Sequence, residues 1–374
     1  MNTLGMKSSN ITTNTQIESL LASMTSNSKI AMGYPTARGY DYSPLYPFLT
    51  MPINNCGDPF TETTYKVQTH NIEREVVSFV ADIFRAPKDN HWGYVTNGGT
   101  EGNLYGLYLA RETLPTAKAY FSKAAHYSIK KNLNILRIEC IEIDTDDSDA
   151  MDLTDLECKL DPETPAIILA TCGTTMKQGR DDVKAIKEIL TKRKMDNYIH
   201  CDAALDGMIA PFLTERPHFD FVDGADSIAV SGHKFIGCPI PCGVVVCKRD
   251  LVDEISNYIP YIHARDETIT GSRNGITPLF LWYALKQTSK EGLKEKVAIC
   301  VEKARYAQKK MIEAGIEAKT NKNTITVTFP TPSAKMIAKW QLATQGDYAH
   351  ILTVPGVTYE VIDSFVEDIS RSFH

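Results

Sequence analysis

The chain lacks a long hydrophobic run, an excess of positive charge and any CxxC cysteine pair. Without an apolar stretch of bilayer length, no transmembrane helix is expected. The net charge is −6 with no basic stripe, which argues against nucleic acid as a partner. The nine cysteines are odd in number and scattered, so they read as thiols of a reducing compartment, not a disulfide framework. Cys238, Cys242 and Cys247 cluster, but no second knuckle or partnered His supports zinc, and no metal is expected. The first residues are polar, with no basic segment followed by an apolar one, so a signal peptide is not expected and the protein is read as cytoplasmic. Repeats are absent, and so is low complexity beyond the first tail.

What is present is ordinary globular material. Of 374 residues 43% are hydrophobic, enough for an ample core, and the length suits two domains. Residues 1–28 are rich in Ser, Thr and Asn around one apolar patch at 17–21, and are expected to be a disordered tail leading into a short helix. Ile72, Val76, Val77, Phe79, Val80 and Ile83 repeat with helical spacing. From about residue 90 to 248, short β-branched runs alternate with helical patterns. Strands are expected near 92–95, 119–122, 135–143, 167–171, 197–201, 228–230 and 242–246. That alternation predicts an α/β architecture with a mostly parallel central sheet covered on both faces. Beyond residue 250 the chain turns polar and glycine-punctuated over 251–277, which suits a mobile lid. Helical patterns over 279–285, 293–314 and 361–373, with an alternating strand near 324–329, predict a smaller α+β unit.

The chemistry sits at the ends of the expected strands. Asn97-Gly98-Gly99-Thr100 joins a strand to a helix that Thr100 can cap, and free N–H groups there suit a phosphate. An ordinary strand-to-helix turn reads the same way, and the spacing matches neither a P-loop nor a dinucleotide fingerprint. His126 follows the next strand and is either a satisfied structural ring or one that stacks on a flat cofactor. Thr174 and Thr175 follow a buried strand toward the crevice where such sheets bind ligands. Asp202 ends another strand and is either a helix cap or the partner of a buried cation. Lys234 lies between two apolar runs, where an amine either reaches water at a turn or is used covalently. In order along the chain, a phosphate cradle, a ring, hydroxyls, a carboxylate and a lysine describe one site. It is a pyridoxal 5′-phosphate site, with Lys234 as Schiff-base lysine, Asp202 on the pyridine nitrogen and His126 on the ring. Ser231 and His233 flank the lysine and suit phosphate or carboxylate contacts.

Thr96-Asn97-Gly98-Gly99-Thr100-Glu101-Gly102-Asn103, His126-Tyr127-Ser128, His200-Cys201-Asp202-Ala203-Ala204-Leu205, Ser231-Gly232-His233-Lys234 and Gly271-Ser272-Arg273-Asn274-Gly275 resemble the group II pyridoxal-phosphate decarboxylases. Within them they are most similar to the clade of bacterial histidine decarboxylases and plant serine decarboxylases. The resemblance runs from about residue 33 to the C-terminus. It implies PLP fold-type I, of the aspartate aminotransferase kind, as a homodimer with active sites at the subunit interface. It implies an arm over 1–60 wrapping the second subunit, a large cofactor domain over 61–289 including the lid, and a small domain over 290–374. It assigns Lys234, Asp202 and His126 as above, and Gly98, Gly99, Thr100 and Ser231 to phosphate. Thr174, Ala204 and His233 complete the cofactor set. Tyr261 in the lid is the implied proton donor to Cα, reaching the neighbouring subunit's site, with His263 an alternative.

The amino acid taken is open between two branches. Asp58-Pro59-Phe60 and Trp340-Gln341-Leu342-Ala343 resemble the serine branch, whereas Asn97-Gly98-Gly99-Thr100 and Asp202-Ala203-Ala204 resemble the histidine branch. The expectation is histidine to histamine, with serine to ethanolamine as the alternative. Both branches usually carry a His where Ile276 stands, a departure expected to alter lid contacts or the substrate pocket, which leaves a third small polar amino acid open. An aminotransferase would need an arginine clamp from the small domain, and none lies between Arg305 and Arg371. A desulfurase would need a lid cysteine, and 251–277 has none. A catalytically silent binding protein on the same fold would be expected to lack Lys234 or Asp202.

Overall fold

The structure is a computed structural model and describes residues 13–373. Seven strands form the central sheet: β1 (Trp92–Thr96), β2 (Lys118–Ser122), β3 (Cys140–Ile143), β4 (Ala166–Thr171), β5 (Asn197–Asp202), β6 (Ser227–Ser231) and β7 (Gly243–Cys247). Their order is β1-β7-β6-β5-β4-β2-β3. The strands from β6 to β3 pair in parallel, and only β7 runs against its neighbours. Strands β1, β4, β6 and β7 are buried along their whole length, as expected for apolar runs covered on both faces.

Helices precede the sheet and alternate with its strands: α1 (Thr13–Lys29), α2 (His70–Ile83), α3 (Gly99–Thr113), α4 (Ser128–Leu136), α5 (Leu153–Lys159) and α6 (Val183–Lys192). Asp152 and Asp182 start α5 and α6 by accepting hydrogen bonds from the first-turn N–H groups of Thr154 and Asp155, and of Ala185. After the sheet come α7 (Asp250–Asp253), the β8 (Asn257–Ile259) and β9 (Ala264–Asp266) hairpin, and α8 (Ile276–Glu313). Helix α8 breaks at Ser289, whose φ is 60°. The C-terminal part packs β10 (Thr326–Pro330), β11 (Ala343–Gln345) and β12 (Tyr348–Leu352) as an antiparallel sheet against α9 (Ala334–Trp340) and α10 (Tyr359–Ser370).

Several expectations change. Residues 13–28 are helical, because Ile17, Leu20, Leu21 and Met24 recur at helical spacing; all four stay exposed. The expected residues 1–12 of the tail lie outside the described residues. The strand expected over 135–143 is shorter: α4 runs to Leu136 and Arg137, in the left-handed region, ends it before β3 begins. Helix α3 starts two residues earlier than a Thr100 cap would place it, with Gly98 at the cap. The segment 251–277 is not loose throughout. Glu267 and Arg273 are both buried, Glu267 bonded to Arg249 and Ser256, and Arg273 to Glu73 and the carbonyl of Gly57. The hairpin tip stands out into solvent, as do Ile269, Gly271, Ser272 and Asn274.

The register of the sheet positions the site. Thr171 lies beside Asp202, Asp202 beside Ala229, and both Thr96 and Ser231 face Gly243. Four chemically useful strand ends therefore share one edge, although up to 135 residues of chain separate them.

Candidate active site

That edge opens into a cavity of about 630 Å3. Gly98, Gly99, Thr100, His126, Thr174, Asp202, Ala204, Ser231, His233 and Lys234 all line it. Tyr261 does not: it is 80% exposed at the β8–β9 tip. Ile276 is also outside, as the first residue of α8, packed against the core.

Lys234 is carried on the loop between β6 and β7, held on one side by Gly232, whose N–H donates to the carbonyl of Cys242 at 2.9 Å. On the other side Ala37 of the N-terminal arm donates to the Lys234 carbonyl at 3.1 Å. Burial pushes the Lys234 amine below the ordinary lysine range, while Asp202 and then Asp206 pull it back up. The result is an amine more easily freed of its proton than a surface lysine. Asp202 is 4% exposed, and its Oδ1 accepts from the N–H of Ala204 at 3.0 Å. This is a turn within the strand exit, not the helix cap weighed from the sequence.

His126 is oriented by Ser128. Both the Ser128 N–H, at 3.3 Å, and its hydroxyl, at 2.7 Å, are placed on Nδ1, so the neutral ring carries its proton on Nε2. Burial lowers the pKa of this ring first, with the Asp202 carboxylate raising it and Lys234 lowering it again. His233 is held at the cavity wall by a 2.9 Å contact from Nδ1 to the carbonyl of Cys242. Behind the sheet His200 is buried and held neutral, its pKa pushed down to about 3 by burial. It sits between Asn103 and Ser227, a structural position.

The glycine turn has the features of an anion cradle. Gly98 has φ 146°, reached cheaply only without a side chain, and the space beside it is open. A Cβ on Gly99 would stand 2.9 Å from Ser231 Oγ and 3.2 Å from Ala204 Cβ. No side chain caps α3, so its leading N–H groups are left for a ligand. Thr171 Oγ1, on the same cavity wall, is buried without a partner. An uncapped helix start, an unpaired hydroxyl, a buried carboxylate and a depressed lysine together fit pyridoxal phosphate.

Some lining residues were not picked out from the sequence. Asn132 lies four residues beyond Ser128 on the same face of α4 and braces the cradle by donating to the Thr100 carbonyl at 2.9 Å. Thr171 and Gly173 flank the hydroxyl pair already noted. A second cavity, about 910 Å3, continues from the first and shares His126, Gly173, Thr175 and Lys234 with it. Its far walls come from Gly33, Tyr34 and Pro35 of the arm and from Thr344, His350 and Leu352 of the C-terminal sheet. Nothing local ties a C-terminal strand to a lysine more than 100 residues earlier in the chain.

The pyridoxal-dependent decarboxylase conserved domain matches residues 34–329. The chain is 43% identical to the histidine decarboxylase of Mesorhizobium japonicum, over 95% of this chain and 97% of that one. It is 44% identical to the histidine decarboxylase of Morganella morganii, over 96% and 97%. It is also 44% identical to serine decarboxylase 2 of Oryza sativa subsp. japonica, over 91% and 74%. Among solved structures it resembles L-methionine decarboxylase from Streptomyces sp. 590, with a TM-score of 0.88 and 25% identity over 96% of each chain.

Proposed function

The chain belongs to the pyridoxal-dependent decarboxylase family, and on that premise we propose that it converts L-histidine to histamine and CO2 at the cavity around Lys234. The reading is carried by one juxtaposition, a depressed lysine and a buried carboxylate at strand ends that face a phosphate cradle. The relatives named histidine decarboxylase support histidine; the similarly close serine decarboxylase supports ethanolamine formation as a second reading. The 910 Å3 cavity beyond His126 favours a side chain larger than hydroxymethyl.

Pyridoxal phosphate, when bound, supplies an electron-accepting ring for the charge left on Cα as CO2 departs. The chain does the rest. The N–H groups of Gly99 and Thr100 and the hydroxyl of Ser231 would hold the phosphate, with Gly98 giving room for its approach. Asp202, its carboxylate fixed by the Ala204 N–H, would keep the ring nitrogen protonated. His126, oriented by Ser128, would pack against the ring. Lys234 would supply the amine that holds the cofactor in the cavity. Thr174, Ala204 and His233 form the walls.

Tyr261 acts in a second copy. Its place at an exposed hairpin tip suits a homodimer in which each β8–β9 hairpin enters the partner's cavity, and the exposed stripe Ile17, Leu20, Leu21 and Met24 on α1 offers apolar surface for that contact. The nine unpaired cysteines support a cytoplasmic setting. Tyr261→Phe is expected to slow or divert turnover while the cofactor stays bound, as the final proton reaches Cα late. Steady-state rates and the cofactor's absorbance check this, and wild-type turnover would remove Tyr261 from the mechanism.

Substrate choice is tested by incubating the cofactor-loaded protein with each L-amino acid and reading amines by mass spectrometry. Histamine is expected. Ethanolamine from serine would establish the second reading, and no amine from any amino acid would overturn both.

A further inference from the structure

The second cavity has two walls that come from distant parts of the chain and are joined by one ring. His350 on β12 is 2% exposed. Its Nδ1 lies 3.2 Å from the carbonyl of Met176, and its Nε2 lies 3.1 Å from the carbonyl of Gly33. Met176 ends the loop that presents Thr174 to the first cavity and Thr175 to both. Gly33 begins the arm that presents Tyr34 and Pro35 to it and, at Ala37, donates to the carbonyl of Lys234.

Neither wall is free to follow the other. The arm runs flush against the C-terminal sheet: a Cβ on Gly33 would collide with the backbone of Gln341, Leu342 and Ala343, and Leu352 donates to the Met32 carbonyl at 2.8 Å. The Met176 loop is closed on itself, with Gln178 donating to the Thr174 carbonyl at 2.9 Å. The gap between them is set by what stands in it. An imidazole carries polar atoms on two edges, so it reaches both carbonyls from a single side chain. Burial holds the ring below the usual histidine range, so at neutral pH it donates its one N–H to one carbonyl and rests against the other.

We propose that His350 is a positioning residue for the substrate's side chain, fixing the distance between the arm and the Thr174–Met176 loop. His350 lies beyond residues 34–329, the segment matched by the family domain. The proposal rests on reading the second cavity as the place of the substrate's side chain.

Two substitutions separate the contacts. His350→Asn keeps a nitrogen near the Nδ1 position and loses Gly33; His350→Gln keeps one near the Nε2 position and loses Met176. Each cofactor-loaded variant is assayed with the amino acid that the product screen identifies and with one smaller or larger competitor. Loss of either wall contact, the donated hydrogen bond or the rest against the second carbonyl, is expected to raise KM about fivefold with kcat within about twofold. The ratio of kcat/KM between preferred amino acid and competitor should fall as well. If KM and that ratio stay at the wild-type values in a folded variant, the proposal is overturned, whatever happens to the melting temperature. Should one variant fail to fold, the other carries the test, and His350→Ala with the same readouts stands behind both. A screen that returned serine instead of histidine would correct the substrate and leave the His350 measurement valid.

Discussion

Lys234→Ala is expected to lose turnover by several orders of magnitude and to lose the absorption band of the lysine-bound cofactor. The side chain is the amine of the cavity and is held more weakly basic than a surface lysine by burial, with Asp202 and Asp206 limiting the shift. Among the described residues no other lysine has that place: Lys131 also lines the cavity, but it is exposed on α4, with its ammonium 5.8 Å from the Tyr127 ring. The loop should survive the change, because its anchors are backbone groups, the Lys234 carbonyl to Ala37 and the Gly232 N–H to Cys242. An absorbance scan after adding pyridoxal phosphate, a product assay and a melting curve check the three parts. Near-wild-type turnover would remove Lys234 from the chemistry; a lost band with lost fold would show a structural role instead.

Arg273→Met is expected to destabilise the protein by about 3–5 kcal/mol, the usual penalty for breaking a buried ion pair from one side. Arg273 is 4% exposed and bonds Glu73, which is fully buried, and the Gly57 carbonyl at 2.9 Å. Glu73 also accepts from the N–H of Val95 at 2.8 Å and from Asn55 at 2.7 Å. The pair ties the base of the 251–277 segment to β1, just ahead of the phosphate cradle. Without the guanidinium, a carboxylate remains in the interior with only neutral donors. Urea unfolding should show the loss, and Glu73→Gln in the same chain should return part of it, because the uncompensated charge is then gone. Additive effects of the two substitutions would mean that the pair is not a unit. Cofactor affinity should weaken in the single variant, since β1 delivers Gly98 and Gly99.

The legibility of the site follows from how local each signal is. Gly98-Gly99-Thr100 and Ser231-Gly232-His233-Lys234 could be read directly, because a strand end, a glycine turn and the reactive group lie within a few residues. The order of strand-end residues along β1 to β6 also survived folding, since parallel strands joined by helices bring their C-terminal ends to one edge. Residues 251–277 show the opposite case. Polar composition and glycines suggested mobility, but the burial of Glu267 and Arg273 depends on Arg249, Ser256 and Glu73, up to 200 residues away. Composition has no information about such partners.

From the sequence alone came the α/β alternation, the glycine turn, the carboxylate and the lysine, because hydrophobic period and turn chemistry are short-range properties. Tertiary structure alone decided that Gly33, Met176 and His350 meet, that Asn132 braces the cradle and that Tyr261 stands outside its own cavity. These are long-range contacts, and long-range contacts are chosen by packing and by the pairing of buried polar groups. No local pattern records that choice.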